Sequence, residues 1–242
     1  MRSLRTLLAT TLLSAAAIGA AHAGSIGIGI GGSDTLTATS AVGATTSPFA
    51  LGYFGSAGIN GLVSTGPISL SDGGTITFGP PNTAKPQAGV YDGNTANVAV
   101  SPFNNTGLTP SNYLAAEPGN NVNINFHLAN TTNTFSLLWG TVDTYNNLNL
   151  EFRLGGIVLE DLTVTGSEVA QAVGGGFQAN GTSPAFVSIK EGLLQGFDEV
   201  VATSSSSAFE FDPSVSVPEP ASVALLGVGL LGLGLIARRK AA

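Results

Sequence analysis

Between residues 24 and 213 apolar and polar side chains alternate in short runs, the period-two signature of half-buried strands. The runs are Gly24–Gly31, Thr35–Val42, Thr75–Phe78, Val122–Leu128, Thr134–Trp139, Leu148–Leu154, Ile157–Val164, Ala185–Ile189, Phe197–Ala202 and Ala208–Phe211. In the fourth, Val122, Ile124, Phe126 and Leu128 share one face and Asn123, Asn125 and His127 the other, so His127 is expected to stand in solvent. Gly155-Gly156 predicts a tight hairpin turn between two of the runs. Helical spacing appears over Gly166–Ala172, with Ser167 as the expected cap and Gly174–Gly176 as the stop. Strands of this number, separated by turn residues, predict an all-β fold, a β-sandwich of jelly-roll type. The absence of an exact repeat argues against a solenoid.

The two ends are patterned differently. Arg2 and Arg5 precede an apolar stretch from Leu7 to Ala21, and Ala21-His22-Ala23 supplies small residues before Gly24. This is the layout of a secretory signal peptide over residues 1–23, cut between Ala23 and Gly24. The ectodomain is then expected over 24–213, followed by a linker at 214–217. At the far end Pro218-Glu219-Pro220 stands before an uncharged run from Ala221 to Ala237, and Arg238-Arg239-Lys240 follows. The prolines stop a helix from running backward into the ectodomain. The 17 uncharged residues sit at the short end of the lengths that cross a bilayer, so 221–237 is the expected transmembrane helix. The basic cluster is a cytoplasmic stop, because it crosses the membrane only at high cost.

Residues Val217 to Ser222, the Leu- and Gly-rich run after them and the basic terminus resemble the PEP-CTERM sorting signal of diderm bacteria, here over 218–242. The resemblance implies processing near the motif by an exosortase, a membrane-embedded cysteine transpeptidase, and passage of the ectodomain to the surface. Signal peptidase and exosortase are then the processing partners, and the membrane is a temporary one. A second resemblance rests on Phe135–Asn146, the strand Leu148–Phe152, Phe197–Val201 and Ala208–Asp212. Over roughly residues 120–212 these are similar to an ectodomain group of exosortase-dependent surface proteins of unestablished role. Pro213 stands where that group often carries Asn.

Charge and residue inventory narrow the chemistry. Between Gly24 and Val217 the bases are Lys85, Arg153 and Lys190, against fourteen acids (the chain's 15 less Glu219), a formal −11. Nothing in such a surface neutralises a phosphate backbone, so nucleic acid is excluded as a partner. The chain has no cysteine, hence no disulfide, thiolate nucleophile or Cys-bound zinc. Once the signal peptide is removed with His22, His127 is the remaining histidine. A serine triad or a multi-His metal site has little to work with.

The acid pairs are Glu160/Asp161, Asp198/Glu199 and Glu210/Asp212. Adjacent strand residues point to opposite faces, so the first two pairs cannot line one cleft without a bulge. Glu210 and Asp212 share a face about 7 Å apart, with Phe209 and Phe211 on the core side. They are expected to form a solvated edge, or the carboxylate pair of a hydrolase. Asp143, Asn146, Asn147, Asp198 and Asp212 offer hard oxygens for calcium, the one cofactor the composition suggests, without EF-hand spacing. In the run Phe135–Trp139, Trp139 falls on the inward face, whereas Tyr145 sits in a polar loop and is the better exposed ring for a sugar. The candidate ligand-binding residues are therefore Tyr145, Asp143, Glu210 and Asp212. Thr35-Leu36-Thr37-Ala38-Thr39 spaces hydroxyls as ice-binding proteins do, but once only.

The sequence thus points to an exported, exosortase-processed surface or matrix protein. It is expected to be structural or polysaccharide-binding, with exopolysaccharide as partner and without enzymatic activity. A secreted carbohydrate-active hydrolase and an ice- or surface-binding protein are the alternatives.

Overall fold

The computed structural model describes residues 28–214, apart from 32–33, 53, 56–57, 71, 80–86, 97, 117–122, 193–195 and 207. The signal peptide, its Ala23–Gly24 cleavage bond, the sorting motif, the transmembrane helix at 221–237 and the basic stop lie outside the described residues. Among the described residues no helix is long and apolar enough to cross a membrane.

The elements in chain order are β1 (Ile28–Gly31), β2 (Asp34–Ser40), β3 (Gly61–Ser64), β4 (Ile68–Ser69), β5 (Thr75–Phe78), β6 (Gly89–Asp92) and β7 (Tyr113–Ala116). Then come β8 (Ile124–Thr132), β9 (Thr134–Asp143), β10 (Asn147–Leu154), β11 (Ile157–Thr165), α1 (Gly166–Val173), β12 (Asn180–Lys190), β13 (Phe197–Ser204) and β14 (Phe209–Pro213). They form two antiparallel sheets, one of eight strands ordered β1-β2-β12-β9-β14-β7-β6-β3 and one of six ordered β11-β10-β13-β8-β5-β4. Strands β7 to β14 pass between the sheets so that β7-β14-β9-β12 face β8-β13-β10-β11. That winding is the double Greek key of a jelly roll. The earlier strands extend it at three edges.

Alternation explains the core. Leu148, Leu150 and Phe152 of β10, Ile124 and Phe126 of β8, and Leu137 and Trp139 of β9 point into the space between the sheets and are buried there. The sheets meet through rings: Phe126 of the smaller sheet lies 5.4 Å from Phe135 and 6.1 Å from Phe211 of the larger one. Trp139 packs on Phe209 at 4.4 Å, an aromatic contact that adds to simple burial.

Local chemistry sets the ends. Gly155 and Gly156 both have positive φ, 57° and 80°, the pair that a two-residue hairpin turn between β10 and β11 requires. The Asp198 carboxylate accepts from the Gly155 N–H at 3.0 Å and holds the turn against β13. Helix α1 is capped by Thr165, not by the expected Ser167. Its hydroxyl accepts from the Glu168 N–H at 3.2 Å, and the Glu168 carboxylate accepts from the Thr165 N–H at 2.8 Å. The reciprocal pair fits the Thr-x-x-Glu box, whereas a cap at Ser167 would leave Glu168 only one residue away. Gly174, at φ 67°, follows the last helical residue.

Four strands, β3, β4, β6 and β7, lie outside the alternating runs of the sequence. The reason for β7 is visible in its burial. All of Tyr113, Leu114, Ala115 and Ala116 are buried, so no polar position marks a period of two. Both faces of this part of the larger sheet are covered. On the outer side Ala41, Tyr91, Ala99, Phe103, Tyr113, Ala115, Leu138 and Phe186 form a second apolar cluster. Loop residues from 41–51 and 98–108 close over it, with Phe49 set edge-on to Phe186 at 5.8 Å. Pro102 lies so close to Gly140 that a Cβ there would stand 2.5 Å from the proline Cα.

Candidate functional site

The acids singled out by their spacing are structural where they are buried. Asp143 ends β9, and its Oδ1 accepts from the N–H groups of Tyr145 at 3.1 Å and Asn146 at 2.7 Å, closing the turn into β10. Burial raises this carboxyl above its ordinary value, while those donors pull it back. Glu210, only 5% exposed, accepts from the Val100 N–H at 2.9 Å and from the Thr141 hydroxyl at 3.4 Å. It pins the covering loop to the sheet. The Tyr145 ring is 66% exposed beside this corner. Partial burial raises its phenol, and the charges of Asp143 and Glu210 add to the effect. Of the four candidate ligand residues, Asp143, Tyr145 and Glu210 are thus brought near one another, and Tyr145 alone offers itself to solvent.

Asp212 is not part of that corner's surface. It is 0% exposed, and neither carboxyl oxygen has a hydrogen-bond partner. The expected solvated edge at Glu210 and Asp212 is therefore wrong. Strand β14 lies inside the sheet between β9 and β7, and the loop layer covers its outer face. Of the oxygens named for calcium, Asp198 caps the hairpin turn, Asp212 lies beneath the loops, and Asp143 closes its own turn. Among the described residues no three of His, Cys, Asp and Glu are grouped to hold a metal ion. Trp139, 1% exposed, is a core residue. The threonines at 35, 37 and 39 lie along the single strand β2.

The outer face of the six-stranded sheet is the opposite case. The alternation that buries Leu150, Phe152, Phe126 and Val200 turns Asn149, Glu151, Arg153, Asn125, His127 and Glu199 outward, and none of these six is buried. Registers run them into rows across the sheet: Arg153 opposite Glu199 and Glu199 opposite His127, Glu151 opposite both Asp161 and Val201. Arg153 pairs with Glu151 and, at 3.4 Å, with Glu199, while His127 Nδ1 stands 3.9 Å from the Glu199 carboxylate. Asn149 accepts from the Thr163 hydroxyl at 2.9 Å. A shallow depression of about 320 Å³ opens here between Asn149, Glu151, Asp161, Thr163, Val201 and Thr203.

One pair on this face breaks a local rule. Glu151 and Asp161 are direct cross-strand partners, and like charges so placed destabilise a sheet. Glu151 has Arg153 beside it; Asp161 is exposed and makes no hydrogen bond or ion pair with a described side chain. The adjacent Glu160 turns inward instead, and burial followed by contact with Asp34 raises its carboxyl.

Comparison with known proteins decides one point. Residues 216–240 match the family model of the PEP-CTERM protein-sorting motif. The chain carries a PEP-CTERM sorting signal. That signal marks an exosortase substrate, a protein exported and held in the membrane before display at the cell surface. It begins two residues after Ser214, whose N–H is still tied to the Ser136 carbonyl at 2.7 Å, so the sandwich runs almost directly into its sorting signal. The matched residues do not include 120–212, and no curated protein and no solved structure matches the chain.

Proposed function

We propose that this exosortase substrate is a non-enzymatic surface or matrix protein that binds extracellular polysaccharide on the outer face of its six-stranded sheet. The observation that carries the reading is the uncovered polar face with its Glu151–Asp161 pair. Local rules broken at a cost in stability mark functional positions. Paired carboxylates flanked by Asn149, Thr163 and Thr203 are acceptors and donors spaced for sugar hydroxyls, and hydrogen bonds to charged acceptors are the stronger kind. The formal −11 of the ectodomain favours a neutral glycan over a polyanionic one.

The hydrolase alternative loses its proposed pair, because Glu210 and Asp212 lie beneath the loop layer and Glu210 already holds Val100. The reading needs no cofactor. A glycan array run beside a hydrolysis panel tests it: binding without turnover is expected, and turnover would restore the hydrolase. The ice-binding alternative predicts thermal hysteresis from the ectodomain. For the sorting step, deleting Pro218–Pro220 is expected to strand the protein in the inner membrane, and unchanged surface delivery would contradict it.

A further inference from the structure

We infer that the groove at the open end of β9 is the seat of the chain's own residues Val215–Val217, which carry β14 onward and leave Pro218 as the first residue clear of the sheet. The inference is independent of the glycan reading. It rests on the register of β14, on backbone groups of β9 that face the groove, and on the groove's lining.

Register comes first. Phe211, Asp212 and Pro213 stand opposite Trp139, Leu138 and Leu137, and the next N–H, that of Ser214, donates to the Ser136 carbonyl at 2.7 Å. Each step forward on β14 is therefore one step back on β9. Two more steps set Val215 opposite Phe135 and Ser216 opposite Thr134, the first residue of β9. A third brings Val217 level with Asn133, between β8 and β9.

Strand β9 is open to them on that side. Its other edge is paired with β12 down to Thr134, which stands opposite Lys190. Residues two apart on a strand turn their N–H and C=O groups to the same edge, so Thr134 points its pair to the side where Ser136 holds Ser214. Among the described residues no strand lies there beyond Ser214. The Thr134 N–H donates to the Thr132 hydroxyl at 3.3 Å, and that hydroxyl donates to the Thr134 carbonyl at 3.4 Å. Both contacts are longer than ordinary hydrogen bonds, and a strand neighbour would replace them with ladder bonds.

The groove suits what the segment brings. It measures about 390 Å³, and its lining includes Ser214, Ser136 and Thr134 together with Phe126, Leu128 and Phe135. Phe126 and Phe135 are core rings 5.4 Å apart. Strand β14 turns Phe209 and Phe211 to the core, so alternation sends Val215 and Val217 the same way and Ser216 outward. Val-Ser-Val supplies the apolar-polar-apolar pattern and the β-branched residues that a strand favours. Pro218 has no N–H to donate and ends the ladder. Val215 follows directly on a residue of the groove wall, so the segment binds as a tethered ligand and outcompetes a strand from outside.

The consequence is for sorting. The matched signal begins at residue 216, so its first two residues join the folded sheet. The stretch expected as a linker becomes strand, and the processing enzyme meets Pro218-Glu219-Pro220 at the rim of the sandwich. To draw in more of the chain, that enzyme must peel Val215–Val217 from β9, which ties processing to the stability of this edge.

The chain has no cysteine, so an introduced pair reports the register. In the full chain, purified in detergent from a host without exosortase, Thr134→Cys with Ser216→Cys is compared under mild oxidation with Thr134→Cys with Val217→Cys. Opposed hydrogen-bonded residues have Cα atoms about 5.5 Å apart, within the span of a disulfide, whereas the next residue turns its side chain to the other face. The first pair should close about tenfold or more faster than the second, which must first unseat the segment. Hydrogen exchange needs no cysteine. The Ser216 and Thr134 N–H groups should exchange about tenfold or more slowly in the natural chain than in Val215→Asp, which sets a charge against Phe135. Equal rates for the two pairs, closure of neither, a disulfide between two copies, or a Ser216 N–H that exchanges as in an unfolded chain would overturn the inference.

Discussion

The outer faces of the two sheets are in opposite states. On the larger sheet Leu138, Phe186, Tyr113 and Tyr91 point outward and are buried under loops, so that sheet is apolar on both sides. On the smaller sheet the outward positions carry Asn149, Glu151, Arg153, Asn125 and His127, and none of these is buried. On the covered face the acids are buried: Glu210 pins a loop, and burial pushes the Asp212 carboxyl well above its usual range. A bare face can carry charges that serve something outside the molecule. The same residue type, an acid on an outward strand position, therefore has two meanings, and the loops decide between them.

The sharpest way to break this contrast is truncation. Leu138→Ala on the covered face should destabilise by about 2–5 kcal/mol, as in a core, whereas Thr203→Ala on the bare face should stay within about 0.5 kcal/mol. Urea denaturation measures both, and equal effects would erase the distinction. Next, Glu210→Ala removes the buried carboxylate that the Val100 N–H donates to. A loss of about 1–3 kcal/mol is expected, with faster hydrogen exchange at Val100 as the local sign.

A smaller effect separates the two kinds of acid by pH. Burial pushes the Asp212 carboxyl of the folded state well above the ordinary carboxylate value of about 4 that the unfolded chain keeps. Stability from this group is thus present at low pH and falls as pH rises toward the folded value. Asp143 and Glu160, also raised, act in the same direction. Asp212→Asn should flatten the curve and raise the melting temperature more at pH 8 than at pH 5. The smallest stability change is expected at Asp161→Asn, which removes the like charge facing Glu151 without breaking the Glu151–Arg153 pair and should stabilise by about 0.2–1 kcal/mol at low salt.

Much of the jelly roll was legible because its strands are half buried. Thr75–Phe78 matches β5 in full, and the Gly155-Gly156 turn joins β10 to β11. What escaped has physical causes. Strand β7 is buried on both faces, and β4 has only two residues, so neither shows a period. The covering loops are irregular, and nothing local to Glu210 or Asp212 announces that residues some 110 positions away will lie over them. The Glu151 pairing was hidden by a bulge. Counting back from the Leu154–Ile157 pair puts Glu160 opposite Glu151, but the register shift between Phe152 and Arg153 brings Asp161 there instead. That one-residue slip turns Glu160 into the rim of the core and Asp161 outward. The tail, by contrast, is a linear signal, and its matched residues 216–240 could be read directly from the sequence.

The most direct test of the bare face as the binding surface is the affinity of the ectodomain for its host's exopolysaccharide, compared between the natural chain and the double variant Glu151→Gln, Asp161→Asn. The account predicts that the variant melts at the same or a higher temperature and binds about tenfold or more weakly, the equivalent of one lost charge-assisted hydrogen bond. Unchanged affinity in a folded double variant would contradict it.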